Sequence, residues 1–365
     1  QKVMNGGEVK KIPCDKPIAG GILEQLIDAK INHLFNAEGD MVMARLHCVL
    51  KHWWMRGLKE EKKIESDDEE SASETFKKKL RWDEHDTWFD QGGVCSLLYA
   101  VSSDEECVVI ELLEELKREF EGEEYTRRIE SRIRDEGYTA LGIPGRSTAL
   151  TVSMMLASPK IVELLIESGA NVESVDVMGN DGFMLASAFG RPKNLQCWLE
   201  RVKDWDLNRQ NTVVGGCALG LAVFMGANKL ETVKVLLDAG ASLDYRTFSG
   251  STLLFNAIGN EDSDTHVVLA VVEQLKSQCA AEEFTSVINY RRKPQTLKWK
   301  CINVGGKVLY RTGLTKSMLI RHIALEAGTC ALNLAVTRGD VEIVKILLAN
   351  GADPYVENDL GMNAF

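Results

Sequence analysis

The stretch GTCALNLAVTRGDVEIVKILLANGADPYVENDLG, residues 328–361, reads as one structural unit with a glycine at each end, 33 residues apart. Leu332 and Ala335 are compact apolar residues suited to a first helix that packs closely, and Gly339 suits a tight turn between antiparallel helices. Val341, Ile343, Val344, Ile346, Leu347 and Leu348 give a second helix a wide apolar face, and Gly351 follows it as a C-cap able to take positive φ. Asp353 to Leu360 then makes an extended excursion into the next unit. One helix pair of this kind cannot bury its apolar face alone, so copies must stack.

The copies appear upstream in phase, at GRSTALTVSMMLASPKIVELLIESGANVESVDVMG from Gly145, and from Gly179, Gly215 and Gly250. A more diverged copy begins at Gly93. Gly179 to Gly215 is 36 residues and Gly215 to Gly250 is 35, each one unit plus a small loop. Gly93 to Gly145 is 52 residues, the excess falling on a helical, charged stretch at 117–137. About six units result, with the start of another at Gly361. In the Gly215 copy, Leu237 is read as a residue of the shared core.

This unit resembles the ankyrin repeat, whose signature is a glycine, a T-P-L-H box, a helix, a turn, and a second helix ending near G-A-D. The boxes depart from that signature. Ala149, Gly182, Ala218, Leu253 and Ala331 stand where proline is usual, and Thr151, Met184, Gly220, Phe255 and Asn333 where histidine is usual. Thr148 and Thr252 keep the N-cap threonine and Asp181 can replace it. The resemblance implies an all-α solenoid over 93–276 and 328–365, with short finger hairpins beside the first helices and a concave groove that binds another protein. Residues 1–58 are expected to form a helical N-terminal cap, with apolar helices at 22–31 and 41–55. Residues 59–92 form an acidic, charged loop and entry segment.

Residues 277–327 interrupt the array. Leu297, Cys301, Val304, Val308 and Leu309 have helical spacing, and a second helix is expected from Leu314 to Ala324. The segment is either a heavily diverged repeat or a helical elaboration on the outer face, and the second reading is preferred. Charge singles it out. The chain carries a net charge of −11, and residues 59–137 alone hold 25 acidic and 13 basic residues, so the remainder sums to +1. From Thr285 to Leu325 there is no acid and there are nine basic residues. Arg291, Arg292, Lys293, Lys298 and Lys300, interleaved with Tyr290 and Trp299, make a candidate anion-binding face for an acidic protein segment, nucleic acid or an anionic membrane. A solvated face is the plain alternative.

Chemistry is harder to find. The six histidines are scattered, no H-E-x-x-H occurs, and His47 and His52 lie five apart, pointing about 140° apart on a helix. The segment WDEHDTWFD at 82–90 could chelate a metal but reads better as a polar entry to the Gly93 unit. GIPGRST at 142–148 lacks the span and lysine of a P-loop, and GGK at 305–307 lacks the following Ser or Thr. No catalytic residue, metal site or cofactor is expected. The nine cysteines lack C-x-x-C spacing; Cys95, Cys217 and Cys330 fall in the box, and Cys48, Cys107, Cys197 and Cys301 in apolar helical contexts. All are expected as reduced core thiols of an intracellular protein, in cytoplasm or nucleus. No apolar run is long enough to span a membrane. Both ends read as cut from a longer chain.

Binding residues are expected at the finger tips. Val177, Met178 and Phe248 are apolar where solvent exposure is anticipated, and Arg209, Arg246, Glu357 and Asp359 share those tips. The apolar three either pack finger on finger or anchor a partner.

Overall fold

The structure is a computed structural model, and it describes residues 2–5, 8–11 and 96–365, apart from 134, 136, 138–142, 227–228, 260–263 and 313–323. The chain divides into two compact units, residues 1–47 and 48–365. In the first, β1 (Lys2–Asn5) pairs antiparallel with β2 (Glu8–Lys11). The sequence reading placed no strand there. The cap helices at 22–31 and 41–55, and the segment 59–92, lie outside the described residues.

The second unit is a two-layer helical stack. Helices α1 (Ser96–Ser102) and α2 (Glu106–Glu119) form a pair, followed by a short α3 (Gly122–Ile129). Then come α4 (Ala149–Leu156) with α5 (Pro159–Glu167), α6 (Gly182–Ala188) with α7 (Pro192–Arg201), and α8 (Ala218–Met225) with α9 (Lys229–Asp238). α10 (Leu253–Gly259) pairs with α11 (Thr265–Gln278), which is followed by α12 (Ala281–Ile288) and α13 (Leu297–Arg311). α14 (Ala331–Arg338) and α15 (Val341–Ala349) complete the array. First helices α1, α4, α6, α8, α10 and α14 pack in that order, and second helices α2, α5, α7, α9, α11 and α15 form a parallel row. One continuous core runs between the rows.

Local chemistry explains the helix starts. Thr148 caps α4 in a reciprocal box with Thr151, the Asp181 carboxylate accepts the Met184 N–H, and the Thr252 hydroxyl accepts the Phe255 N–H at 3.2 Å. Cys217 does the same for α8 through its sulfur, 3.4 Å from the Gly220 nitrogen, and burial pushes its thiol up to about 11. Helix ends are equally regular. Gly169, Gly240 and Gly351 take positive φ, and the alanine after each donates back to Leu165, Leu236 and Leu347. In α9 it is Leu236 that is fully buried, whereas Leu237 is half-buried, so the expected core leucine is one position early.

Two expectations about the array are corrected. The first concerns where the Gly145 copy begins. Gly179, Gly215, Gly250 and Gly328 each take positive φ two residues before a helix N-cap. The residue in that slot ahead of Thr148 is Arg146, at φ 62°, and Gly145 is the residue before it. The slot is crowded as well as left-handed. A side chain at Gly215 would meet the Phe248 ring of the next finger at 2.6 Å, and one at Gly179 would meet Thr212 at 2.6 Å.

The second concerns 277–327. Each finger closes at its base with one backbone bond: Asp176 N–H to Asn180 O, Asn211 to Gly216, Thr247 to Ser251, and Asn358 to Met362. Arg292 N–H donates to Thr329 O at 3.0 Å in the same way. The segment from Arg292 to Thr329 is therefore closed at its base like a finger and carries α13, while α12 stands before it; the second helix expected from Leu314 to Ala324 falls almost wholly outside the described residues. Ile133 N–H to Ser147 O, at 3.0 Å, closes a smaller enlarged finger after α3, which accounts for the long first period.

Opposite effects are expected from two substitutions at the head slot. Gly215→Ala adds a Cβ at φ 70° against the Phe248 ring and should lower unfolding free energy by about 2 kcal/mol. Arg146→Gly removes a left-handed non-glycine residue and should raise it by up to about 1 kcal/mol, the gain being trimmed by the entropy of glycine in the unfolded chain. Urea unfolding of both variants checks the pair; equal signs would refute the assignment of Arg146 to the slot.

Candidate functional site

The fingers form a ledge joined by main-chain bonds. Val177 N–H donates to Gly145 O at 2.8 Å, Thr212 to Met178 at 3.1 Å, Phe248 to Val214 at 2.9 Å, Gln295 to Phe248 at 2.9 Å, and Asp359 to Ala327 at 2.9 Å. A polar side chain secures each short finger at its base. Asp176 Oδ1 accepts the N–H groups of Met178 and Asn180, at 2.7 and 2.9 Å. Asn211 Oδ1 accepts from Val214 and Gly216, Thr247 Oγ1 from Ser251, and Asn358 Oδ1 from Leu360 and Met362. Asn211 Nδ2 also donates to Asn180 Oδ1 at 2.9 Å, tying neighbouring fingers by side chains. These clasp residues were missed in the sequence. Their signal was an Asp, Asn or Thr three or four positions before a head glycine.

The expected finger-tip residues separate into three groups. Met178 is 7% exposed and belongs to the packing, which corrects the anticipated solvent position. Phe248 is half-buried over Gly215, and Val177, two fingers earlier along the ledge, is half-buried too. Arg209 pairs with Glu173 at 2.6 Å and Asp181 at 3.7 Å, and stacks on Trp205 at 4.7 Å. Arg246 pairs with Asp244 and lies 4.8 Å over the Tyr290 ring. Asp359 is clamped by Arg291 at 3.1 Å and Lys307 at 2.7 Å. Glu357 is exposed.

The basic face also divides. Arg292 is 7% exposed, paired with Glu326, bonded through Nε to Ser249 O at 3.3 Å, and 5.4 Å over the Phe255 ring. It is an internal fastener of the enlarged finger, not an anion ligand, because a buried charge needs its partner close at hand. Arg291 is spent in part on Gly328 O and Asp359. Lys293, Lys298 and Lys300 are exposed, and no ion pair is formed by them among the described residues. Cys197, Cys217 and Cys330 are buried as expected, whereas Cys107 and Cys301 are exposed; Cys48 and Cys95 lie outside the described residues. No group of three His, Cys, Asp or Glu among the described residues is placed to hold a metal. No helix among them is long and apolar enough to cross a membrane.

Residues 327–359 match the family model of the ankyrin repeat. The same helix, turn, helix and finger recur upstream in phase, so the described helical array has the fold of an ankyrin-repeat solenoid, with the family model matching its last complete unit. Among curated proteins it is 26% identical over 212 residues to the nuclear factor NF-kappa-B p105 subunit of Gallus gallus, covering 58% of this chain and 17% of that protein. It is 24% identical over 229 residues to the ankyrin repeat and KH domain-containing protein mask-1 of Caenorhabditis elegans, covering 57% of this chain and 8% of that one. The chain thus corresponds to a small part of either relative. Among solved structures, the ankyrin repeat domain of Bcl-3 aligns with TM-score 0.48 and 21% identity over 73% of this chain and 91% of its own. That of human ASB11 aligns with TM-score 0.48 and 14% identity, over 74% and 89%.

The electrostatics of the ledge give a test. Asp181 is 1% exposed, and burial pushes its carboxyl up to about 6, against the opposing pull of the Met184 N–H and Arg209. The folded chain therefore holds this proton more tightly than the unfolded chain, whose value is near 3.8. Stability from this group is full below about pH 4 and is lost as pH rises through about 6. Asp181→Asn keeps a capping oxygen and removes the titration. Between pH 4 and 7 the variant should gain on the parent by on the order of 2 kcal/mol. Denaturant melts at both pH values measure this, and a gain by the parent would show that the ionised carboxylate is the stabilised form.

Proposed function

We propose that this chain is a protein-recognition module whose partner lies along the finger ledge and the adjoining first helices. The observation that carries the reading is the continuous ledge itself. Five fingertip amides are bonded to the preceding finger, so the tips form a pre-organised edge rather than independent loops. Along it, Val177 and Phe248 keep partly exposed apolar faces, Glu357 offers an exposed charge, and Leu221 and Met225 of α8 are half-buried on the first-helix row. Apolar contacts of moderate size set among polar positions suit a macromolecular surface better than a small molecule. The buried thiols of Cys197, Cys217 and Cys330 suit a reducing, intracellular setting.

A nucleic-acid or membrane role for residues 285–325 is less well supported, since Arg291 and Arg292 are committed to Asp359 and Glu326. Arg209, Arg246 and Asp359 hold the ledge in shape and act on a partner through that.

Photo-crosslinking tests the assignment. A photoreactive residue at Val177 or Glu357 should give discrete protein adducts in cells. The same residue at Lys193 or Lys345, exposed on the second-helix row, should not. Adducts confined to the second-helix positions would move the binding surface to the other side of the array.

A further inference from the structure

Helix α13 is held by one face. Asn303 and Gly306 are buried, and Trp299, Ile302, Leu309 and Tyr310 are half-buried on the same side. On the opposite side Leu297, Val304 and Val308 are 77%, 58% and 53% exposed, and Cys301 between them is exposed too. These four residues follow one another at spacings of four, three and four. At about 100° per residue they occupy an arc of about 60°. That is the narrow a/d seam of a two-helix coiled coil, not the face of 100° or more that a helix turns to a protein core.

The flanks of the seam carry the second observation. If Leu297 and Val304 are d positions and Cys301 and Val308 are a positions, the neighbouring e and g positions are Lys298, Lys300, Gly305 and Lys307. Every charged residue beside the seam is thus a lysine, and the chain from Thr285 to Leu325 holds no acid. Lys307 reaches Asp359 of the next finger at 2.7 Å, which fixes the helix to the array, while Lys298 and Lys300 are exposed.

We propose that this seam docks an acidic amphipathic helix from a partner protein, with apolar residues at its own a and d positions and Asp or Glu flanking them. The charges choose among occupants. A second copy of α13 would set lysine against lysine. A lipid surface would draw on a wider apolar face than this stripe offers. An acidic helix satisfies both the seam and its flanks. The seam lies on the exposed side of α13, opposite its buried Asn303 and Gly306, and shares no residue with the proposed partner contacts at Val177, Phe248 and Glu357, so either assignment stands or falls without the other.

The test uses the full chain and a labelled synthetic helix of about three heptads, with Leu at a and d and Glu at e and g. A second helix carries Lys at e and g, and vesicles of phosphatidylserine and phosphatidylcholine form the third arm. The acidic helix should bind, and added salt should weaken it. The basic helix and the vesicles should not bind. Val304→Asn with Val308→Asn should weaken the acidic helix at least tenfold, and Lys298→Glu with Lys300→Glu should transfer preference to the basic helix. Val177→Asp, on the ledge, should change nothing in this assay. Mass-spectrometric mapping of maleimide attack should find Cys301 fast in the free chain and slowed by the acidic helix. The proposal is overturned if the acidic helix fails to bind, if neither pair of substitutions alters its binding, or if vesicles bind through these residues in its place. It is also overturned if Cys301 in the free chain reacts as slowly as the buried Cys217, because the chain itself would then cover the seam.

Discussion

The array depends on the closure of each finger over the left-handed residue at the head of the unit before it. At Gly215 the backbone turns through φ 70°, and the ring of Phe248, one unit on, lies where a side chain would begin. At Gly250 the neighbour is the backbone of Lys293, and at Gly328 it is Asp359. The close approach brings each fingertip amide onto a carbonyl of its predecessor. Spacing between units is thereby set at the fingers as well as in the helical core. At Gly215, Gly250 and Gly328 a side chain would push two fingers apart and break their bond, leaving a donor and an acceptor without partners, whereas the slot held by Arg146 has room for one.

This constraint acts at the base and side of a finger and leaves its tip free. An enlarged loop costs little extra closure entropy, since the penalty grows only with the logarithm of length. The finger that begins at Arg292 uses that freedom to carry α13 and still closes onto Thr329. It needs a different fastener, because Asp, Asn or Thr at the base works by reaching amides a few residues ahead. Arg292 bridges instead to Glu326 and to the ring of Phe255. The long arginine spans the wider gap and, with its charge neutralised, sits within the core boundary.

Much of this was legible in sequence. The period, the helix pairs, the GA-type helix ends and the caps at Thr148, Asp181 and Thr252 rest on local rules of propensity and turn chemistry, and they stand in the structure. The misreadings have a common physical origin in contacts between units. Gly145 looked like a head glycine, but the residue forced left-handed is fixed by pairing with Ile133, and that residue is Arg146. Met178 looked exposed because it lies at a tip, yet it is buried, and Thr212 of the next finger bonds to its carbonyl. Arg292 looked like one of a run of cations, while its acid stands 34 residues away in sequence. Leu236 and Leu237 are adjacent and alike, and only the packing of neighbouring helices decides which one faces the core.

Native-state hydrogen exchange tests the finger closure most directly. The amides of Thr212, Phe248 and Asp359, which bond between fingers, and of Arg292, which closes the enlarged one, should exchange far more slowly than free loop amides. They should gain and lose protection together as denaturant is added, because they belong to one cooperative edge. Exchange of these four at unprotected rates, while the amides of α6, α8 and α10 remain protected, would contradict the account: the helices would then stack without a closed row of fingers.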